Sequence, residues 1–415
     1  MRRVWPLTVR GTGALVLAIA CFVLANELGL VELLYFGILL LATLAASIVS
    51  LYVTRRTESV GRSLSPDVAT VGRPSTVTVR VGVRTAVPTA AGLWRDAVPA
   101  GLTGVAHGVF PALGSGLRGD ERAVELRYTI TGARRGVHPL GPLSVTSTDP
   151  FGLARRSNVL GVRTQVTVTP AIVDLPVLAN FSGESGGTLH TTTNQIGQGS
   201  DNLIARPYAP GDSMRRIHWR ATAHRDALMV RQEEQESTPE ATVVLDRAAE
   251  RWSAEALRTT GLDAGFEAAV SSCISVVSRL VTDGYVVELI DSDGTALADP
   301  IDGGDLGGVE AVATHLATIT ARRGDTLAKL PLLFAGAMTG PVVVVTGRFD
   351  PADAEALAPL VHHSALPIVL AAAPTGDALD RATDLGWRAA PIGADADLVA
   401  AWSGAADQGV SNVVA

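Results

Sequence analysis

Residues 33–53 read LLYFGILLLATLAASIVSLYV, an uncharged run about as long as the roughly 20 apolar residues that an α-helix needs to cross a bilayer. Residues 11–25, GTGALVLAIACFVLA, form a shorter uncharged stretch that must extend into its flanks to do the same. A short turn containing Glu27 and Glu32 separates the two segments. We therefore predict a transmembrane helical hairpin over residues 1–56.

Arginines at the outer ends of this hairpin predict its orientation. The first apolar segment is preceded by Arg2, Arg3 and Arg10, and the second is followed by Arg55 and Arg56. The turn between the segments contains no arginine. Positively charged residues accumulate on the cytoplasmic side of a membrane. We expect a multi-pass protein of the cell (inner) membrane whose soluble part faces the cytoplasm. A cleaved signal peptide over residues 1–25 is the alternative, but a second full span follows it at once.

The composition of the chain argues against several functional classes. The net charge is −7 and Lys329 is the only lysine, so the basic surface of a nucleic-acid-binding protein is not expected. Cys21 and Cys273 are the only cysteines, too few for a disulfide framework or a cysteine-based metal site. Most acidic residues lie in residues 241–415, which leaves residues 1–240 basic. That asymmetry suits an N-terminal part near an anionic membrane surface, although it is equally the charge of an ordinary soluble surface.

Residues 57–175 carry the pattern of strands. Polar and apolar residues alternate over residues 76–83, 121–130 and 162–169, which is the period of a half-buried strand. Proline and glycine clusters separate these runs, and no helical period of useful length intervenes. We predict a small antiparallel, β-sandwich-like domain over residues 57–175.

Residues 241–415 carry a different pattern, in which short apolar runs alternate with helical ones. Strands are predicted at residues 241–245, 285–290, 341–346 and 366–371. The clearest helix is residues 263–282, which opens with acidic residues and repeats apolar residues at helical spacing. This alternation predicts an α/β, doubly wound parallel sheet. Because no G-x-G-x-x-G fingerprint follows the first strand, Rossmann-type nucleotide binding is not predicted.

Residues 176–240 connect these two parts as a polar linker followed by a dense arginine-rich segment. Residues 206–236 read RPYAPGDSMRRIHWRATAHRDALMVRQEEQE. This segment resembles the signature of bacterial domain-of-unknown-function family 58, whose members carry Arg-x-Tyr, Pro-Gly-Asp and Ile-x-Trp in this order. RRGVHPLGP at residues 134–142 and DPFGL at residues 149–153 resemble the family's other typical stretch. The chain departs from the pattern at His218, commonly acidic, and at His224, commonly arginine.

The signature segment has two physical interpretations. As a structural strap, its arginines would pair with Asp212 and with the glutamates of residues 233–236, and lock the two soluble domains together. As a docking surface, its arginines and indole would bind carboxylates and aromatic rings of a partner. The candidate residues are Arg206, Tyr208, Gly211, Asp212, Arg215, Arg216, His218, Trp219, Arg220 and Arg225.

The family's C-terminal part is similar to von Willebrand factor type A domains, which often bind a divalent cation through an Asp-x-Ser-x-Ser loop after the first strand. The corresponding loop here is residues 246–250, DRAAE. Asp246 is present, but alanine and glutamate replace the two serines whose hydroxyls would coordinate a hard cation. We therefore expect no metal and no other cofactor.

We thus expect a membrane-anchored, non-enzymatic interaction or adaptor protein. The family resemblance implies association with a MoxR-type AAA+ ATPase in the assembly or maturation of other proteins. The alternative is a hydrolase or transferase that uses the segment 206–236 with His218 or His224 as the acid–base group. A third possibility, an outward-facing adhesion module, conflicts with the arginines that flank the hairpin.

Overall fold

The computed structural model describes residues 5–53, 57–84, 91–112, 122–177, 203–208, 214, 217–225, 227–233, 239–335, 339–393 and 397–407. The chain divides into two compact units. The first consists of Met1–Ala171, Ala254–Glu267 and Ala311–Thr320. The second consists of Ile172–Ser253, Ala268–Glu310 and Ala321–Ala415. The predicted linker over residues 176–205 lies largely outside the described residues.

Two apolar helices open the first unit, as predicted. Helix α1 (Val9–Leu28) ends at Gly29, whose φ of 68° reverses the chain, and α2 (Val31–Val53) follows directly. Both are long and apolar enough to cross a membrane, and only 17% of the apolar window of each is buried within the protein. Helix α4 (Ala264–Thr282) is also long and apolar enough, but 61% of its window is buried. The exposed apolar helices therefore need a lipid environment, whereas α4 is an interior helix.

Short strands make up most of the rest of the first unit. They form an antiparallel sheet in the order β1-β3-β7-β5, a second in the order β10-β9-β4-β6, and a mixed sheet in the order β2-β11-β8. Their bounds are β1 (Thr57–Ser65), β2 (Ala69–Thr70), β3 (Pro74–Arg84), β4 (Gly92–Asp96), β5 (Leu102–Gly104), β6 (His107–Phe110), β7 (Arg122–Gly132), β8 (Gly136–Leu140), β9 (Leu143–Thr148), β10 (Arg155–Leu160) and β11 (Thr164–Thr169).

One core joins the two antiparallel sheets. Alternate residues of β3 are fully buried in it, as Val77 and Val79, together with Ile130 of β7 and Val145 of β9. The alternating pattern that predicted these strands therefore marks their inward faces. A sheet-rich domain is confirmed, but it is mixed: β11 runs parallel to β2, which was not predicted.

A five-stranded parallel sheet dominates the second unit, in the order β15-β14-β16-β17-β18. The four predicted strands are confirmed, and the short β18 was missed. The elements that follow β11 along the chain are β12 (Leu203–Pro207), α3 (Trp219–Arg225), β13 (Met229–Glu233), β14 (Glu240–Leu245), α4, β15 (Val286–Asp291), α5 (Leu306–Leu316), β16 (Thr339–Phe349), α6 (Pro351–Val361), β17 (Ser364–Pro374), α7 (Ala378–Asp384), β18 (Arg388–Pro391) and α8 (Leu398–Asp407).

Both faces of this sheet are covered. Val244, Val344 and Val369 pack in a core with residues of α6, α7 and the 3-10 helix Leu327–Phe334. Their neighbours Val243 and Ile368, which alternation directs to the opposite face, are also fully buried. Continuous apolar strands with both faces buried are typical of a parallel sheet between helical layers.

Candidate functional site

The carboxyl ends of the first three parallel strands bring polar side chains together. Asp246 follows β14, Ser292 follows β15, and Thr346 lies in β16. The strand order reverses between β14 and β16, and ligands of open α/β sheets bind in the crevice at such a switch point. A ligand or cation is therefore expected at this edge, which the carboxyl ends of the strands form.

Asp246 is fully buried at this edge, and each of its oxygens is engaged. Oδ1 accepts hydrogen bonds from the Ala248 amide at 3.1 Å and the Ser292 hydroxyl at 3.1 Å. Oδ2 accepts one from the Thr346 hydroxyl at 2.8 Å. Oδ2 also lies 3.1 Å from Nε of Arg251. The carboxylate is thus neutralised by a guanidinium of its own chain.

Arg251 joins several elements around Asp246. It ends the 3-10 helix Ala249–Arg251, and its side chain is 5% exposed. It pairs with Asp325 and Asp353 at 2.8 Å each, and donates to the Arg348 carbonyl at 2.8 Å. A planar guanidinium suits such fork-like contacts with carboxylates. The cluster Asp246, Arg251, Asp325 and Asp353 is called the Arg251 cluster below.

The protonation states in the Arg251 cluster follow from burial and charge. Burial raises the pKa of Asp246, and the Ala248 amide and the Thr346 hydroxyl act against that rise. Burial opposes the charge of Arg251, but hydrogen bonds to Asp353 and the three carboxylate charges raise its pKa above the ordinary value. Burial would raise the pKa of Asp353, yet hydrogen bonds from Arg251 hold it below its usual range. Arg251 is therefore the fixed positive charge of the site.

The residues around Asp246 do not fit a divalent cation. The two serine positions hold Ala248 and Glu250, and the guanidinium of Arg251 supplies the positive charge beside the carboxylate. A second arginine, Arg322, pairs with Asp291 at 2.6 Å on the neighbouring strand end. Among the described residues, no group of three His, Cys, Asp or Glu side chains is arranged to hold a metal ion.

The signature segment forms a small unit in which backbone pairing fixes a short helix. Strand β12, which contains Arg206, pairs with β13. The Tyr208 amide donates to the Leu228 carbonyl at 2.8 Å, and Ile217 forms a bridge to Val230. Ile217, Met229 and Val230 are buried. Gly211, Asp212, Arg215 and Arg216 lie outside the described residues, so the pairing predicted for Asp212 stays a prediction.

His218 begins the helix of this unit. Its Nδ1 accepts a hydrogen bond from the Ala221 amide at 3.0 Å, in the manner of an N-cap residue. Its backbone amide donates to the Met229 carbonyl at 2.7 Å, and the Thr222 hydroxyl accepts from the Met229 amide at 3.0 Å. His218 is thus part of the local framework.

Most side chains of α3 are exposed. Trp219 is 69% exposed, and Arg220, His224 and Arg225 are exposed as well. Met214, in the same segment, is 63% exposed. The structural strap requires buried, paired arginines, and the two arginines of α3 do not have that environment. The cluster Trp219, Arg220 and Arg225 is called the α3 surface below.

The upstream motif supplies a buried arginine that sequence reasoning did not single out. Arg135 is 1% exposed, and its guanidinium makes two hydrogen bonds of 2.7 Å to Glu267 within the first unit. It also donates to the Leu316 carbonyl and lies over the Phe266 ring, 5.6 Å from its centre. Arg135 is thus buried and paired, as the structural strap requires of its arginines. The sequence analysis had predicted such ion pairs for residues 206–236 instead.

Sequence reasoning also missed Arg251, Ser292, Thr346, Asp325 and Asp353. Asp246 was found because a loop pattern surrounds it, whereas its partners come from elements up to about a hundred residues away. One sequence signal could have identified residues of this site: a polar residue that directly follows a buried strand. Ser292 after β15 fits that rule, and Arg251 has no comparable signal.

Replacing Arg251 by alanine should destabilise the protein and create a cation dependence. Asp246 would be left buried without a positive charge, which costs about 3–5 kcal/mol of unfolding free energy. The oxygens of Asp246, Ser292 and Thr346 would then attract a hard cation, so magnesium should raise the unfolding temperature of Arg251→Ala. Thermal unfolding of the detergent-solubilised chain, with and without magnesium, measures both effects.

The matched control is Arg381→Ala, which breaks an exposed pair with Glu355 at 2.8 Å and should change neither quantity. Magnesium should also leave the unchanged protein unaffected. If magnesium stabilises the unchanged protein as much as Arg251→Ala, a cation binds despite Arg251 and the account of this site is wrong.

Three solved structures show distant likeness to parts of the chain. The CARDB domain of the PF1109 protein from Pyrococcus furiosus, in complex with di-metal ions, is 14% identical over 28% of this chain and 88% of its own, with a TM-score of 0.18. The GH20 exo β-N-acetylglucosaminidase from Vibrio harveyi is 9% identical over 80% of this chain and 75% of its own, with a TM-score of 0.17. A family two carbohydrate esterase from Cellvibrio japonicus is 8% identical over 85% of this chain and 96% of its own, with a TM-score of 0.17. At such scores none of them bears on fold or function.

A family profile matches part of the sequence. No curated protein sequence matches the chain. The upstream motifs at residues 134–153 lie outside the region that the family profile matches. That profile, described as Protein of unknown function DUF58, matches residues 204–363, which include the whole 206–236 signature, and so supports the family resemblance that the signature predicted.

Proposed function

We propose that this chain is a non-enzymatic adaptor anchored in the cell (inner) membrane, with its soluble part in the cytoplasm, and that the α3 surface binds a protein partner there. The family resemblance makes a MoxR-type AAA+ ATPase the first partner to test. The adaptor would hold that ATPase at the membrane during assembly or maturation of other proteins. We further propose that the parallel sheet is von Willebrand factor A-like and serves as a scaffold without a bound cation.

The observation that carries this proposal is the 69% exposure of Trp219 beside the exposed Arg220 and Arg225. Tryptophan and arginine dominate the energetics of protein–protein interfaces, where they fill pockets and form bidentate contacts. A tryptophan this exposed contributes little to the core of its own domain. Its place in a family signature is therefore better explained by binding than by packing.

The residues that pack against and cap α3 fix its backbone, so the α3 surface is pre-organised for binding. The His218 cap and the buried Ile217 hold the N-terminal end of the short helix, and the hydrogen bond from the Met229 amide to Thr222 holds its middle. Side chains on a fixed backbone lose less conformational entropy when they bind. The two arginines favour a partner that presents carboxylates around an aromatic or aliphatic pocket.

The Arg251 cluster supports the non-enzymatic part of the proposal. At the edge of the sheet where a cation or substrate would bind, a buried ion pair within the chain satisfies the carboxylate instead. This arrangement stabilises the sheet edge and offers no open coordination position for chemistry.

Replacing Trp219 by alanine should abolish partner capture without unfolding the protein. Loss of an interface hot spot costs about 2 kcal/mol or more, which is roughly a thirtyfold loss of affinity. Capture of a MoxR-type ATPase from native membranes in mild detergent, followed by mass spectrometry, compares the unchanged chain with Trp219→Ala and Arg225→Ala. Leu306→Ala, which truncates a side chain that is 58% exposed in α5, is the control and should capture normally.

The unfolding temperatures of the same variants separate the two interpretations of the signature. A docking surface predicts lost capture at an unchanged unfolding temperature. A fall in unfolding temperature for Trp219→Ala or Arg225→Ala with capture intact would instead establish the strap. If the unchanged chain captures no ATPase, the proposed partner is wrong.

Substitution of His218 distinguishes the adaptor from the hydrolase or transferase. His218→Asn should keep both fold and capture, because asparagine is a good helix cap but cannot act as a general acid–base. His218→Ala should lower the unfolding free energy by about 0.5–2 kcal/mol through loss of the cap. Complementation of a strain that lacks the gene is the functional measurement, and a dead His218→Asn variant with normal stability would favour an enzyme.

A further inference from the structure

The loop between β9 and β10 is tightly built around Asp149, the first residue of the motif DPFGL. The buried Asp149 carboxylate accepts hydrogen bonds from the amides of Phe151 at 2.9 Å and Ala154 at 2.6 Å. Gly152, with φ of 70°, closes the turn through its amide, which donates to the Asp149 carbonyl at 3.0 Å. The result is a rigid loop with Phe151 at its tip, 63% exposed.

This loop is bonded to the chain segment that enters α1. The Thr8 amide donates to the Leu153 carbonyl at 2.9 Å, and its hydroxyl donates to the Gly152 carbonyl at 2.6 Å. The Arg155 amide donates to the Pro6 carbonyl at 2.7 Å. A side chain at Gly11 would place its first carbon 1.9 Å from the Leu153 carbonyl oxygen. The first turn of α1 therefore lies directly against the loop backbone.

Arg156, the second residue of β10, contacts the C-terminal end of α2. Arg156 donates to the Leu51 carbonyl at 3.0 Å, close to the helix C-terminus, where a positive charge is favourable. Its guanidinium also lies over the Tyr52 ring, 4.4 Å from the ring centre. The same short stretch thus contacts both helices where they leave the apolar segment.

The exposed side chains around these contacts are those of a membrane–water interface. Trp5, Tyr52 and Phe151 are 59%, 58% and 63% exposed. Arg10 and Arg155 are exposed beside them. Aromatic rings collect at the headgroup level of membranes, and arginines there attract anionic lipids. Free solvent would be a poor environment for three exposed aromatic rings so close to two spanning helices.

We propose that the β9–β10 loop is a membrane-docking element, with Phe151 in the headgroup region and with Arg10 and Arg155 bound to the phosphates of anionic phospholipids. The loop sets the height and tilt of the first unit on the bilayer, because it is rigid and bonded to the entry of α1. This inference rests on the membrane insertion of α1 and α2 in the proposed function, and it is independent of the α3 surface.

Spin labels on the full chain in lipid nanodiscs test the proposal. Single cysteines replace Phe151, Val16 and Val162 in a Cys21→Ala, Cys273→Ala background, and each carries a nitroxide. Val16 reports on membrane insertion of α1, where its side chain is 61% exposed. Val162, 78% exposed, follows the end of β10 that is opposite to the loop and is the aqueous control.

Collision with oxygen, which concentrates in lipid, is compared with collision with a water-soluble nickel chelate. We expect the label at residue 16 to favour oxygen and the label at residue 162 to favour nickel. The label at residue 151 should lie between them, because the headgroup region holds less oxygen than the apolar interior and less nickel than water. A label at residue 151 that behaves like residue 162, while residue 16 favours oxygen, would overturn the docking loop alone. Nickel accessibility at residue 16 would overturn membrane insertion and the inference with it.

A comparison of nanodisc compositions tests whether the loop binds anionic lipids. Nanodiscs of phosphatidylglycerol with phosphatidylcholine should place the residue 151 label deeper than phosphatidylcholine alone. The double variant Arg10→Gln, Arg155→Gln should lose that difference, whereas Arg80→Gln, at a 73% exposed arginine of β3, should keep it. The same depth in both lipids for the arginine-intact chain would rule out anionic phospholipids as the ligand.

Discussion

A carboxylate that is buried at the end of a parallel strand needs a positive charge, and Arg251 provides it for Asp246. The same guanidinium pairs with Asp325 and Asp353. A single side chain therefore connects the loop after β14, the segment before the 3-10 helix Leu327–Phe334 and the first turn of α6. The position is the one at which open α/β sheets bind ligands. An internal ion pair occupies that position here, which is why we propose that the sheet is a scaffold and that binding occurs elsewhere on the chain.

We propose binding roles for two exposed surfaces among the described residues, and they suit different partners. The α3 surface combines one exposed indole with arginines on a small framework, which suits a protein with carboxylates. The β9–β10 loop combines aromatic rings and arginines at the ends of two apolar helices, which suits a lipid interface. Together they are the basis of the proposed adaptor, in which the loop contacts the membrane and the α3 surface binds a soluble protein.

Much of the fold follows from the sequence because its periodicities are strong. The uncharged runs at residues 11–25 and 33–53 correspond to α1 and α2, and the apolar run at residues 341–346 lies within β16. Short strands such as β18 have too few residues for a clear period, and were missed. The partners of Asp246 were missed for another reason: ion pairs between distant residues leave no local pattern. The exposure of Trp219 was equally unpredictable, since most tryptophans are largely buried.

Photo-crosslinking from residue 219 in native membranes tests the central claim most directly. A photoreactive amino acid at residue 219, and a control at the exposed residue Leu306, would be irradiated in intact cells and the adducts identified by mass spectrometry. The account predicts an ATPase adduct from residue 219 that is absent from residue 306. Adducts from residue 219 only within this chain would contradict it, because the signature would then brace its own fold and bind no partner.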